Sequence, residues 1–166
     1  MPRTLLVLPV LFTLALRPAP QPAAGPGAVM AMQRDLFAAI DRGDGEAARS
    51  FVASDRKGPG GMTTLFLIDS AGTLVRATDS GSARDALARL AGESKVAGGS
   101  FATKITMESA DCPSSDLSYA VIEFERVHTL DGKVDTRRYR GTLLVRHEES
   151  GWKVTHWHVS PGSGAE

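Results

Sequence analysis

The sequence holds one cysteine, Cys112. With no second thiol, an intrachain disulfide is excluded and the fold must rest on its core. Nor is there an excess of either charge, since 19 lysines and arginines are matched by 19 aspartates and glutamates. That balance leaves no electrostatic footprint for nucleic acid or an anionic membrane surface. No internal repeat is present. Nucleophile elbow, phosphate-binding glycine loop and dinucleotide fingerprint are all missing. The uncharged run from Thr4 to Leu16 is too short to span a bilayer, which takes about 20 residues.

What the N-terminus does contain is the pattern of a secretory signal peptide: a basic start at Arg3, a short apolar core, then small residues. The expected division is a leader over residues 1–24, with Ala24 as the cleavage point, a linker over 25–27, one domain over 28–160 and a tail over 161–166. An uncleaved anchor is the alternative. No cysteine follows the apolar core, which argues against a lipoprotein. The expected location is therefore secreted or periplasmic. About 140 residues remain after the leader, enough for one domain with a real core.

Apolar residues Val29, Met32, Leu36, Phe37 and Ile40 repeat at helical spacing, and Gly43 stops that helix. Asp44 caps a second helix carrying Ala47, Ala48, Phe51 and Val52. Residues 57–61 form a Gly/Pro loop. Thr64 to Ile68 and Thr73 to Thr78 read as short strands joined by a turn. Ser82 is expected to cap a third helix, Ala83 to Leu90, ended by Gly92. Residues 95–100 read as a loop.

The rest of the chain reads as long antiparallel strands. Asp131-Gly132 is a type I′ hairpin signal, because that turn needs φ > 0 at both residues. It sets Glu125 opposite Arg138 and Glu123 opposite Arg140. On the other face Phe124 meets Tyr139, Ile122 meets Gly141 and Ala120 meets Leu143. A slip of one residue would destroy both rows, which supports the register. Phe101, Ile105 and Met107 alternate with polar residues as a further half-buried strand.

Two motifs carry a family resemblance. The first is Ala39-Ile40-Asp41-Arg42-Gly43-Asp44 followed by a helix ending at Ala53-Ser54-Asp55. The second is Arg140 to Arg146, a short turn, then Gly151-Trp152-Lys153-Val154 and His156-Trp157-His158-Val159-Ser160. Together they resemble the nuclear transport factor 2-like superfamily, SnoaL-like branch. The closing strands are also similar to the calcium/calmodulin-dependent kinase II association domain. The resemblance implies an α+β cone: a curved antiparallel sheet with N-terminal helices packed on its concave face, enclosing a pocket. It also implies dimers through the outer face, and relatives that are dehydratases, cyclases, isomerases, binders or pure association modules. Fold does not choose among these.

On this register the pocket wall is Ile105, Met107, Ala120, Ile122, Phe124, Tyr139, Leu143 and Trp157. Arg126 lies opposite Arg137, a like-charge pair that an acidic ligand between them would reconcile. The competing reading has the hairpin end leaving the sheet with both arginines solvated. Binding candidates are Tyr139, Trp157, Arg126 and Arg137. His156 and His158 have the spacing of two metal ligands, but no third ligand appears, so they read as histidines packed beside Trp152. Their face depends on the turn at residues 148–151. A three-residue turn with Gly151 as a bulge, the preferred reading, turns Thr155, Trp157 and Val159 inward. A four-residue loop turns Trp152, Val154, His156 and His158 inward instead. With the first, Leu117, Tyr119, Val121, Leu144, Trp152 and Val154 form an apolar outer patch suited to a homodimer.

The wall holds a phenol but no buried carboxylate to serve as a general base, and neither metal nor cofactor is implied. Three functions stay open. One is a non-catalytic protein binding a small, partly apolar, anionic molecule. Another is a lyase or isomerase acting on a carbonyl or ring compound. The last is an association module with a filled cone.

Overall fold

The computed structural model describes residues 25–56, 61–95 and 99–162. The expected leader over 1–24 lies outside the described residues, as do 57–60 and 96–98 of the two expected loops and most of the tail, 163–166. Helix α1 spans Pro26–Asp41, α2 Gly45–Ser50 and α3 Ser80–Glu93. The strands are β1 Thr64–Ile68, β2 Leu74–Ala77, β3 Gly99–Asp111, β4 Leu117–Leu130, β5 Lys133–Glu148 and β6 Gly151–Pro161. They form one curved, unclosed sheet in the order β2-β1-β6-β5-β4-β3. The four long strands pair antiparallel, and β1 joins β6 in parallel. Among the described residues no helix is long and apolar enough to cross a membrane.

Helix α1 begins inside the span expected as linker, because Pro26 at the first turn has its φ already set for a helix. It buries Val29, Met32, Gln33, Leu36, Phe37 and Ile40 against the sheet. Gly43, at φ 68°, ends it: Gly43 N–H donates to Ile40 O and Asp44 N–H to Ala39 O. That double bond pattern needs a left-handed residue. A Cβ on Gly43 would lie 2.5 Å from the Lys95 side chain, so any other residue would also have to displace that lysine. Asp44 then caps α2 by accepting from Ala47 N–H at 3.0 Å.

The third helix starts earlier than expected. Its N-cap is Asp79, which accepts from Ser82 N–H, while the Ser82 hydroxyl accepts from the Asp79 N–H. Ser82 is thus the second half of a capping box rather than the cap. Gly92 does not end the helix, which runs through it to Glu93.

The hairpin register is as expected throughout β4 and β5, with Asp131 at φ 51° and Gly132 at φ 74°. Arg138 bonds Glu125 and Arg140 bonds Glu123, both at 3.1 Å. Two bulges then correct the expected faces. Thr106 is an extra residue in β3, since Ile105 pairs with Phe124 and Met107 with Glu123. Met107 therefore leaves the pocket wall for the outer face, where it is 41% exposed. Thr155 is an extra residue in β6, since Leu144 pairs with His156 and Val145 with Val154. An extra residue reverses side-chain parity. Trp152 and Val154 before it, and Trp157 and Val159 after it, consequently all point into the core. Trp152 and Val154 drop out of the outer patch. Leu117, Tyr119 and Leu144 remain there, each 40–45% exposed.

Candidate functional site

The cone interior is organised on the stacked pair Phe124 and Tyr139, with centroids 5.3 Å apart, which the Asp131-Gly132 turn places opposite each other. Phe37 of α1 packs on Phe124 at 4.9 Å and edge-on to Trp157 at 5.6 Å. Trp157 fits because Gly141 faces it from β5. A Cβ there would sit 3.1 Å from both the Trp157 Nε1 and the Ile122 Cγ1.

Two residues along from Phe124 on the same face is Arg126. Its side chain is inside the protein, 6% exposed, not solvated at a frayed hairpin end. The guanidinium lies over the rings of Phe101, Phe124 and Tyr139 at 5.7, 5.8 and 6.0 Å. Burial pulls its pKa down; Tyr139, Asp41 and Glu93 pull the other way. Neither carboxylate pairs with it. Asp41 accepts from the Thr103 N–H and hydroxyl, and Glu93 accepts from Ser70 N–H. The Arg126 Nε has no hydrogen-bond partner. The Arg146 Nε is likewise without a partner, but that buried arginine has its charge met, since its NH2 donates to Glu148 and to the Ser54 carbonyl at 2.6 Å each.

Arg137, opposite Arg126 in the register, sits at the rim. Its Nε donates to Asp135 at 2.8 Å and its NH1 to the Ser70 carbonyl at 3.1 Å, tying the β1–β2 turn to the sheet. Burial lowers its pKa, but Asp135 and Tyr139 outweigh this and the net shift is upward.

Two small voids meet at Arg126 and Tyr139. The inner one, about 10 Å³, is lined by these two with Leu67, Ile68, Leu90, Phe124, Trp157 and Val159. The rim one, also about 10 Å³, adds Phe101, His128, Asp135, Arg137 and Ser70. Each has room for about one water. Of the four binding candidates, Arg126 and Tyr139 belong to both voids, Trp157 to the inner one and Arg137 to the rim one. His128, opposite Asp135 in the register, stacks on Phe101 at 4.6 Å.

Other expected positions change. His156 and His158 lie on the outer face against Phe66, 6.0 and 6.3 Å away, rather than beside Trp152. Asp111 is on that face too, accepting from the Tyr119 hydroxyl at 3.2 Å. Gln33 was missed. It is fully buried, and neither amide atom has a hydrogen-bond partner. Its only sequence signal is position, four residues from both Val29 and Phe37 on the core face of α1.

With this geometry in view, the model of the SnoaL-like domain family matches residues 29–163. A comparison with the curated proteins returns no match. Among solved structures, a candidate dehydratase of the nuclear transport factor 2-like family from Streptomyces avermitilis has 16% identity and TM-score 0.68, covering 82% of this chain and 94% of that one. A ketosteroid isomerase-like protein from Erwinia carotovora atroseptica has 18% identity and TM-score 0.58, covering 82% and 95%. The calcium/calmodulin-dependent kinase II hub of S. rosetta has 19% identity and TM-score 0.61, covering 86% and 100%. At these identities the likeness is one of fold.

Proposed function

The chain belongs to the SnoaL-like domain family, and from that premise we propose that it is an exported, non-catalytic protein that binds a small, partly apolar anion in its cone. The observation that carries this reading is Arg126, a buried guanidinium with no carboxylate paired to it among the described residues. Taking such a charge out of water costs several kcal/mol, or about that order, unless a counter-charge meets it. A carboxylate entering from the rim would meet Arg126 and Arg137 together, and its apolar part would extend along Trp157 and Val159. Arg126 and Tyr139 line both voids, so a ligand at either one would touch the same two side chains. For the lyase or isomerase reading, His156 and Asp111 face outward, and of the two groups sharing the rim void with Tyr139 that could serve as a base, Asp135 is held by Arg137 and His128 stacks on Phe101.

The filled interior favours a second reading, an association module. In either reading the outer face, with Leu117, Tyr119 and Leu144, is the surface through which two copies would pair. The experiment that separates the readings is a thermal-shift screen of small organic acids. A ligand at a hundredfold excess over Kd stabilises by about 2.7 kcal/mol. The binding reading expects at least one acid to raise Tm, and Tyr139→Phe or Arg137→Ala to diminish that effect. No response to any acid, or a response indifferent to both substitutions, overturns it.

A further inference from the structure

Strand β6 presents two imidazoles, His156 and His158, on the outer face of the sheet. Residues two apart on a strand share a face, with Cα atoms about 6.7 Å apart. Two imidazoles at that spacing can converge on one metal ion at about 2.0–2.1 Å per bond. The pair sits near the middle of the sheet, because β6 lies between β1 and β5. Phe66 on β1 packs against both rings, at 6.0 and 6.3 Å, and holds them in place. Arg76, on the next strand out, lies over Phe66 at 5.7 Å, so the phenyl ring stands between that cation and the histidines. His156 is half-buried.

One chain does not complete such a site. Among the described residues no third His, Cys, Asp or Glu joins the two histidines. An ion of the zinc class takes four ligands in a closed protein site. The surroundings point to where the others come from. Leu144 pairs with His156 in the register and is 40% exposed, and Tyr119 and Leu117 continue the apolar surface. Beyond them the rows of Glu123, Glu125, Arg138 and Arg140 are already matched in charge. Nothing in that balance opposes packing the face on itself. A two-fold axis sets identical patches against each other.

We infer that His156 and His158 are half of a four-imidazole site for a zinc-class divalent cation, completed by the same two histidines of a second copy. This rests on the outer-face pairing proposed above. Magnesium, which prefers oxygen ligands, is the control ion.

The test is sedimentation of the untagged protein in EDTA, in zinc chloride and in magnesium chloride, with zinc uptake followed by calorimetry. The expected result is zinc-dependent dimerisation with one zinc per two chains and no effect of magnesium. Cobalt substitution should give the visible bands of a tetrahedral site. His156→Gln and His158→Gln should each abolish zinc uptake while leaving the circular dichroism unchanged. A dimer that persists in EDTA and takes up no zinc keeps the pairing and overturns the metal site. A monomer under every condition overturns both. One zinc per chain with no change in sedimentation shows an unshared site and also overturns the inference.

Discussion

Replacing Arg126 by Met asks whether the free protein bears a cost that a ligand would relieve. The side chain is 6% exposed and its Nε is unpartnered. A buried polar atom without a hydrogen bond costs about 1–3 kcal/mol. Desolvating the charge itself costs several kcal/mol, to order of magnitude. Against this, the range of a desolvated ring contact reaches about 2 kcal/mol, but the three here lie at its outer limit of about 6 Å and share one guanidinium, so each returns about 0.5–1 kcal/mol. Met keeps an apolar stem and a polarisable sulfur against the same rings while removing the charge. The costs outweigh the returns, so the substitution should stabilise the free protein by about 1–2 kcal/mol. Urea unfolding has an m-value of about 2 kcal/mol/M for a domain of this size, so the midpoint should rise by roughly 0.5–1 M at constant m. Any acid that stabilises the wild type should lose most of its effect on this variant. A fall of about 1 kcal/mol or more at unchanged m would mean that the rings satisfy the guanidinium, and the case for an anion would go with it.

Two further outcomes are expected. Gly141→Ala forces a methyl group to within 3.1 Å of Ile122 and Trp157, and overpacking of this kind costs about 1–3 kcal/mol; an unchanged urea midpoint would show that the Trp157 ring has room to move. The Asp55 carboxyl is held below the usual carboxylate range by the Ser80 and Thr63 N–H groups, and that of Asp79 by Ser82. For a depressed acid, the ionised form is the one that favours folding. Their contribution is present above the usual range and lost as pH falls through the folded-state values. Stability should therefore decline on acidification below about pH 4, and Asp55→Asn should flatten the decline; parallel curves for wild type and variant would refute this.

The centre of the sheet was legible because its turn type is dictated by sequence. Asp131-Gly132 allows one register, which holds for all 14 pairs along β4 and β5 and sorts Glu123, Glu125, Arg138 and Arg140 from Ala120, Ile122, Phe124 and Tyr139. The helix ends marked by Gly43 and Asp44 were legible for the same reason: each residue has one conformation or one bond to offer. The faces of β3 and β6 were not. Thr106 and Thr155 bulge without any glycine to announce it, and each reverses the alternation on which the reading depended. Ser82 misled because either end of a capping box can serve as a cap. Gln33 was hidden by its polarity, and the register that made Arg126 a binding candidate left its burial open. A pattern search assigns such residues to solvent, and only the packing of Phe37, Phe101, Phe124 and Tyr139 shows that they lie inside.

The bulge at Thr155 gives β6 a reserve of one residue. Its hydroxyl donates to the Leu144 carbonyl at 3.1 Å, so the surplus residue is pinned in place. Remove it, and the strand becomes a regular one in which Trp152, Val154, Trp157 and Val159 still point inward. Remove Lys153 instead, and regular alternation turns Val154 outward and brings Thr155 into the core. Chains in this fold that differ by a single residue at this point can thus share the same lining. Alignment by length alone would place a gap anywhere in the strand, but the side-chain alternation admits it only between Val154 and Trp157.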